Sequence, residues 1–475
     1  MERVTIGSLT LDWPEDRKPD PTDCISSCDY RYWDPAIARF FSPRGIHSTY
    51  LAIELAVVKA FRRLDMCNDT QVLEVRNACQ EITTLEIFER EVTTQHDVQA
   101  VVEAIQGRVS DGVKQLVHGG GTSYDIVCTA NAVLMRDCAS LVIIPELRKL
   151  LRLLIVLAEE HADTPQTGRS HLQHGSPITF GFWAAEYISR ISEAIPLLED
   201  AARRLKGKYR GAMGNSLALT FLVADPLAFE WEVLSEFQLK PALYSSQVVP
   251  HDDTARLLSE LTVLIMILSN LGEDIRLMAA TEIGELVQEL RPGESGSTAM
   301  PDKVNPWRAE SVCSAARTVV GRLVTVMLNC ETDLQRDLRD SLASRTYGET
   351  FNLILYAIKK ASDQLSRMRV NKEALDRNLL LTNGGNLSEA WQAALRAVGH
   401  PTAHLAMKEL AKVSRQTGEH LSKLAFKDPD LAPYIAKMAP ETREALKDPA
   451  KCTGLASVIA RRIADSAAVD HGINT

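Results

Sequence analysis

Ser297, Lys303 and Asn305 gather a hydroxyl, a cation and an amide in the stretch from Arg291 to Pro306. Pro292, Gly293 and Gly296 would break any helix arriving from upstream. Pro306 suits a first helical position, because an apolar-periodic run follows it. Such groups on loop backbone beside a helix start form an anion-binding set, with Ser297 as candidate nucleophile or base.

Four other stretches concentrate polar groups in ways a core does not need. In Thr93–Val98, His96 and Asp97 fall at an expected helix start, where an N-cap is the ordinary reading and proton transfer or ligand contact the functional one. In His118–Asp125, three glycines precede Thr122 and Ser123, so amides and hydroxyls could approach a carboxylate closely at the start of a long helix. In Gly168–Pro177, His171 and His174 have a metal-ligand spacing, but no nearby carboxylate or Cys completes a set, and no metal is expected. A histidine in that Gly- and Pro-bounded loop suits proton transfer. In Leu334–Arg345, Arg336, Ser341 and Arg345 combine forked guanidinium donors with a hydroxyl, a set suited to phosphate, although a solvated charged helix has the same look.

The elements that must position these residues read as helices throughout. The 475 residues have a hydrophobic fraction of 45% and a charged fraction of 24%, values of a soluble globular chain with room for two or three domains. A net charge of −9 argues against a nucleic-acid surface. The nine scattered cysteines, among them the pair Cys24 and Cys28, read as reduced structural thiols of a cytoplasmic protein. No signal peptide is visible at the N-terminus, and the apolar run Leu261–Leu268 is too short to span a bilayer, so no membrane partner is expected.

The fold class expected is all-α, in three helical domains. Residues 1–117 give an N-terminal helical domain, opening on an irregular arm over the first 30 residues or so. Residues 118–370 give a central bundle of long helices, with runs at 178–206, 252–290, 306–330 and 347–368 and an apolar stripe through Leu147, Leu150, Leu151, Leu154, Leu157 and Ala158. Residues 371–475 give a compact, proline-punctuated C-terminal helical domain. The wide apolar faces suggest burial in an oligomer as well as within the chain.

Taken together, Gly296-Ser297, Met300, Lys303 and Asn305 resemble the signature loop of the fumarase/aspartase superfamily, whose members eliminate fumarate from a succinyl group. Arg31-Tyr32, Thr94–Val98, Thr122-Ser123, Arg169–His171, Ser246–Asp252, Gln335–Ser341 and Arg345 narrow the likeness to its adenylosuccinate lyase family. That resemblance implies a carbon-nitrogen lyase of purine and AMP biosynthesis. It would release fumarate from adenylosuccinate and from the succinyl-carboxamide ribotide, as a cytoplasmic homotetramer with shared sites, acting on a small-molecule nucleotide with no cofactor.

It also implies roles. Ser297 would be the general base and His171 the general acid, with His96 and Lys303 completing the catalytic set. His96 would also help hold the substrate and orient its phosphate, with Gln95 and Asp97 alongside, and Thr122, Ser123, Gln247, Lys303 and Asn305 would hold the succinyl carboxylates. Arg31, Tyr32, Arg336, Ser341 and Arg345 would bind the nucleotide and its phosphate. Ser170, Asp302 and the glycines 119–121 depart from the usual pattern. They leave room for a sister lyase releasing fumarate from another succinyl-amine; a catalytically silent structural or binding relative is the alternative of another class.

Overall fold

The structure, a computed structural model, describes residues 2–13, 24–294, 296–297, 299–300 and 302–474. Helices dominate it, and the strands form four two-stranded ribbons. The chain divides into two compact units, each assembled from three segments: Met1–Glu146, Ala194–Met266 and Ser314–Ala357 in one, Leu147–Glu193, Ile267–Cys313 and Ile358–Thr475 in the other.

In the first unit the helix Pro43–Arg63 is apolar nearly all round, and Leu51, Ile53, Leu55, Val57, Val58 and Phe61 are buried. A helix of that pattern must be enclosed. Helices Asp69–Glu81, Asp97–Gln106 and Ser123–Cys138 pack against it. Their starts follow local rules. Asn68 and Gln71 form a reciprocal capping box, and Asp34 caps Pro35–Phe41 with proline at the first position.

The second unit holds a long apolar stripe in the helix Ile144–Glu160, where Leu147, Leu150, Leu151, Leu154 and Ala158 are fully buried and Leu157 is half-buried. Its tail has a separate core around Trp391, Leu395, Met407 and Leu421. There the Trp391 indole donates to Ser422 Oγ (3.0 Å), so the buried ring's polar atom is satisfied.

Four expectations need correction. The N-terminal arm is a β-hairpin, Glu2–Ile6 paired antiparallel with Leu9–Trp13, closed by Gly7 at φ 55°; residues 14–23 of it lie outside the described residues. The helix expected over 252–290 ends at Met278, and the chain turns through Gly284 into a strand, Leu286–Gln288, that pairs with Met368–Val370. That helix, Asp252–Met278, is long and apolar enough to cross a membrane, contrary to the reading of its apolar run as too short, but 61% of its apolar window is buried inside the protein. The stretch 334–345 is not one helix, since only Ser341–Ser344 is helical.

Candidate active site

In the first unit the helix start at Asp97 presents His96 as its N-cap residue. The ring Nδ1 accepts the Gln99 N–H (3.4 Å), which leaves Nε2 as the protonated nitrogen of the neutral ring. That nitrogen lies 3.1 Å from Ser123 Oγ and donates to it. Beside them Asp97 pairs with Arg345 across 3.1 Å. Gln95 sits in the left-handed region at φ 50°, and its amide donates to Val92 O (2.8 Å).

Thr122 and Ser123 stand on a turn held from below by buried charge. Asp125, fully buried, accepts from Thr122 N (2.8 Å), Gly211 N (2.9 Å), Arg210 N (3.0 Å) and the equally buried Lys208 ammonium. Glu54, also fully buried, accepts from His118 N (2.8 Å) and the His118 ring (2.7 Å). Burial alone would lower the His118 pKa, but the charge and hydrogen bond of Glu54 more than offset that and raise it.

The glycines serve this packing. Gly120 has φ +71°, and a Cβ on Gly121 would lie 2.6 Å from the Tyr209 hydroxyl, which itself donates to Gly119 O (3.0 Å).

The 334–345 stretch folds back on the same unit. The Arg336 guanidinium lies 3.5 Å above the Tyr124 ring and donates to Asp340 (3.2 Å), which also accepts from His251 (3.1 Å). Burial works to raise the Asp340 pKa, yet His251 and Arg336 hold it below the usual carboxylate range. Arg336 Nη2 is buried without a protein partner. Gln247 N donates to Gln335 O (3.3 Å). Tyr32 packs edge-on against Tyr356, with ring centroids 4.9 Å apart, while Arg31 is exposed.

In the second unit His171 is not on an irregular loop. Strands Pro165–Ser170 and Gln173–Thr179 pair antiparallel, leaving His171-Leu172 as a two-residue turn with φ of 54° and 58°. Both central residues at positive φ make the tight hairpin form that side-chained residues adopt at a cost of order 1 kcal/mol each. The sequence hid this hairpin because Gly168, Gly175 and Pro177 interrupt any strand pattern. Below the turn Arg169 is pinned by Glu285 (Nη1 to Oε2, 3.1 Å), a fully buried carboxylate that also accepts from Gln166 and Asn378, each at 2.9 Å.

Ser297, Lys303 and Asn305 lie on one loop, of which Ser295, Thr298 and Pro301 are outside the described residues. Ser297 Oγ accepts the Met300 N–H (3.1 Å), Lys303 N donates to Met300 O (3.0 Å) and Asn305 donates to Gly296 O (3.3 Å). A Cβ on Gly296 would come within 2.6 Å of Lys303 O, so glycine lets the loop close on itself. Glu294 anchors the loop's start through the buried Arg308, Arg367 (3.4 Å) and the Arg291 N–H (3.0 Å). The helix that follows begins at Trp307, one residue after Pro306. The Lys303 side chain and Asp302 are both exposed.

The structure thus brings His96 to Ser123, Asp97 to Arg345, and Gln247 to the Arg336 segment. Gln95, Thr122, Arg31 and Tyr32 belong to the same unit, while His171, Ser297, Lys303 and Asn305 stand on the hairpin and loop of the other. Residues that sequence reasoning passed over are His251, Tyr124, Asp340 and the buried set Glu54, Asp125, Lys208 and Tyr209. His251, Tyr124, Asp125 and Asp340 lay inside stretches already singled out, Ser246–Asp252, His118–Asp125 and Leu334–Arg345, but Glu54, Lys208 and Tyr209 carried no local signal. Among the described residues no group of three His, Cys, Asp or Glu side chains could hold a metal ion.

Residues 41–321 match the lyase family, and residues 332–437 match the C-terminal region of adenylosuccinate lyase. The adenylosuccinate lyase of Methanocaldococcus jannaschii is 30% identical over 442 residues, covering 92% of this chain and 94% of that protein. That of Archaeoglobus fulgidus is 31% identical over 430 residues, covering 89% and 94%. Among solved structures, the 3-carboxy-cis,cis-muconate lactonizing enzyme from Pseudomonas putida is similar, with a TM-score of 0.80 and 27% identity over 92% of this chain and 97% of that one. A fumarate lyase from Mesorhizobium sp. BNC1 shares the fold, with a TM-score of 0.81 at 22% identity, over 91% and 98%.

Proposed function

We propose, for a chain that belongs to the adenylosuccinate lyase family, that it is a carbon-nitrogen lyase releasing fumarate from adenylosuccinate to leave AMP. The same elimination on the succinyl-carboxamide ribotide would give its carboxamide, so the enzyme would serve purine biosynthesis twice. The observation that carries this reading is the likeness to adenylosuccinate lyases over about nine-tenths of both chains. The C-terminal match starts at 332 and so takes in Arg336, Ser341 and Arg345.

In this reading Ser297 removes the proton next to a succinyl carboxylate. The electrons left behind pass into that carboxylate, and Lys303 and Asn305 supply the cation and amide that stabilise the doubly charged group. A serine hydroxyl is a poor base in water, so it must act in a site closed to solvent, with its alkoxide held by amides and cations. His171 delivers a proton to the departing nitrogen as the carbon-nitrogen bond breaks.

His96 and Ser123, already hydrogen-bonded, would steady the succinyl end with Gln95, Thr122 and Gln247. Arg31, Tyr32, Arg336, Ser341 and Arg345 would take the nucleotide, Arg345 exchanging Asp97 for phosphate. The buried Arg336 Nη2, which lacks a protein partner, supports an anion there.

A homotetramer with sites completed by neighbouring chains belongs to the same proposal. Val320, Val324 and Leu328, spaced four apart on one helix, are 41%, 64% and 65% exposed, an apolar stripe that a second copy would cover. No disulfide is formed by Cys28, Cys67, Cys79, Cys128, Cys138, Cys313, Cys330 or Cys452, which supports a reducing cytoplasm.

A sister lyase acting on a succinyl-amine without phosphate is the second reading. It is favoured by Asp97 occupying Arg345 and by the acidic Asp302 in the signature loop. Turnover with adenylosuccinate against argininosuccinate, aspartate and malate separates the two. Activity confined to adenylosuccinate supports the first, and activity on any of the others with none on adenylosuccinate overturns it.

A further inference from the structure

Beside the hairpin that carries His171 lies a cavity of about 580 Å³, within the size range of small-molecule sites. Phe182, Trp183, Leu277 and Met278 give it apolar walls. Two of its polar groups are buried and can accept a hydrogen bond. Gln166 and Thr167, which line it, are 3% and 1% exposed, and Gln166 Oε1 and Thr167 Oγ1 are buried without partners.

The Gln166 amide is oriented by its surroundings. Its nitrogen donates to Glu285 Oε2 at 2.9 Å, and a reversed amide would set oxygen against a carboxylate, so Oε1 is the atom left unsatisfied. An orphaned buried acceptor costs about 1–3 kcal/mol until something donates to it.

Charge points the same way. Asp274 accepts from the Trp183 indole (2.9 Å) and the Tyr187 hydroxyl (2.6 Å), both neutral donors, and among the described residues no cation forms an ion pair with it. The two arginines of the wall are already engaged, Arg169 by buried Glu285 and Arg190 by Glu186 (3.0 Å) and Asn270 (2.7 Å). What remains is an acceptor-lined, net-negative pocket with an indole in its wall, and indole faces attract cations.

We propose that this cavity binds a small organic ammonium ion, its apolar stem against Phe182 and Trp183 and its ammonium donating to Asp274, Gln166 and Thr167. An anion would meet the Asp274 carboxylate, with the Thr167 hydroxyl, among the described residues, as the one unpaired neutral donor to offset it. The site does not depend on the lyase reading, although Arg169 and Leu172, which bracket His171, also line it.

The test is titration of the full chain with phenethylammonium chloride, followed by tryptophan fluorescence and calorimetry, against the neutral isostere 2-phenylethanol. Saturable binding of the ammonium, about tenfold or more tighter than the alcohol, is expected, with the fluorescence change lost in Trp183→Phe while calorimetric binding persists. Asp274→Asn should weaken binding about tenfold or more. Glu186→Gln, an exposed change that frees the charge of Arg190, should weaken it several-fold, and it carries the test if Asp274→Asn does not fold. Equal binding of the alcohol, no saturation with the ammonium, or unchanged affinity in Glu186→Gln would overturn the proposal.

Discussion

Replacing Lys208 with Met tests the claim that a buried ion pair holds the Thr122-Ser123 turn. Lys208 and Asp125 are both fully buried, so the change strands a carboxylate away from water. Breaking a buried pair by removing one partner costs about 3–5 kcal/mol. Three amide donors remain on Asp125, from Thr122, Arg210 and Gly211, and they place the cost near the lower end, about 3 kcal/mol. At 1.4 kcal/mol per decade, that corresponds to roughly a hundredfold easier local opening.

The assay is native-state hydrogen exchange of those three amides, with kcat and KM for fumarate release measured alongside. Exchange should quicken about a hundredfold at the turn while the Trp391 core keeps its protection. KM should rise more than kcat falls if Ser123 holds substrate. The double variant Lys208→Met with Asp125→Asn should recover part of the protection, because no unpaired charge remains. Exchange within about threefold of wild type in the single variant would refute the reasoning.

Three further outcomes follow from the same structure. Arg345→Ala should raise KM about tenfold or more through a lost phosphate contact, with stability almost unchanged, because an exposed pair such as Arg345–Asp97 is worth about 0–1 kcal/mol; an unaltered KM would favour the sister lyase. His171→Gln should lower kcat by about 10²–10⁴-fold, the range for losing a general acid, and a near-normal rate would remove His171 from that role. The raised pKa of His118 stabilises the fold fully below the unfolded value near 6.5, and that contribution is lost as pH climbs from there through the folded value. A urea-unfolding midpoint that falls over this range in wild type, and less in His118→Gln, is expected; identical profiles would show that His118 is not the group.

Much of the helical architecture was legible because period and caps are local signals: the stripe from Leu147 to Ala158 and the His96 cap follow from residues a few positions apart. The His171 hairpin was not, because glycine and proline mask its strands and its pairing is fixed by the bulge at Gly168. The arginine-rich stretch 334–345 read as a helix from charge spacing, yet Asp340 and Tyr124 draw Arg336 inward instead. The Glu54, Asp125 and Lys208 set could not be read at all, since its members lie far apart in sequence and each alone looks like a surface charge.

The central claim is that Ser297 starts an elimination on adenylosuccinate, and it is tested most directly by following fumarate formation with purified wild type and Ser297→Ala. The account predicts turnover of adenylosuccinate by wild type and a loss of about 10²–10⁴-fold or more in kcat for the variant, with substrate binding retained. Fumarate released by the variant at close to the wild-type rate, or none from adenylosuccinate by the wild-type protein, would contradict it.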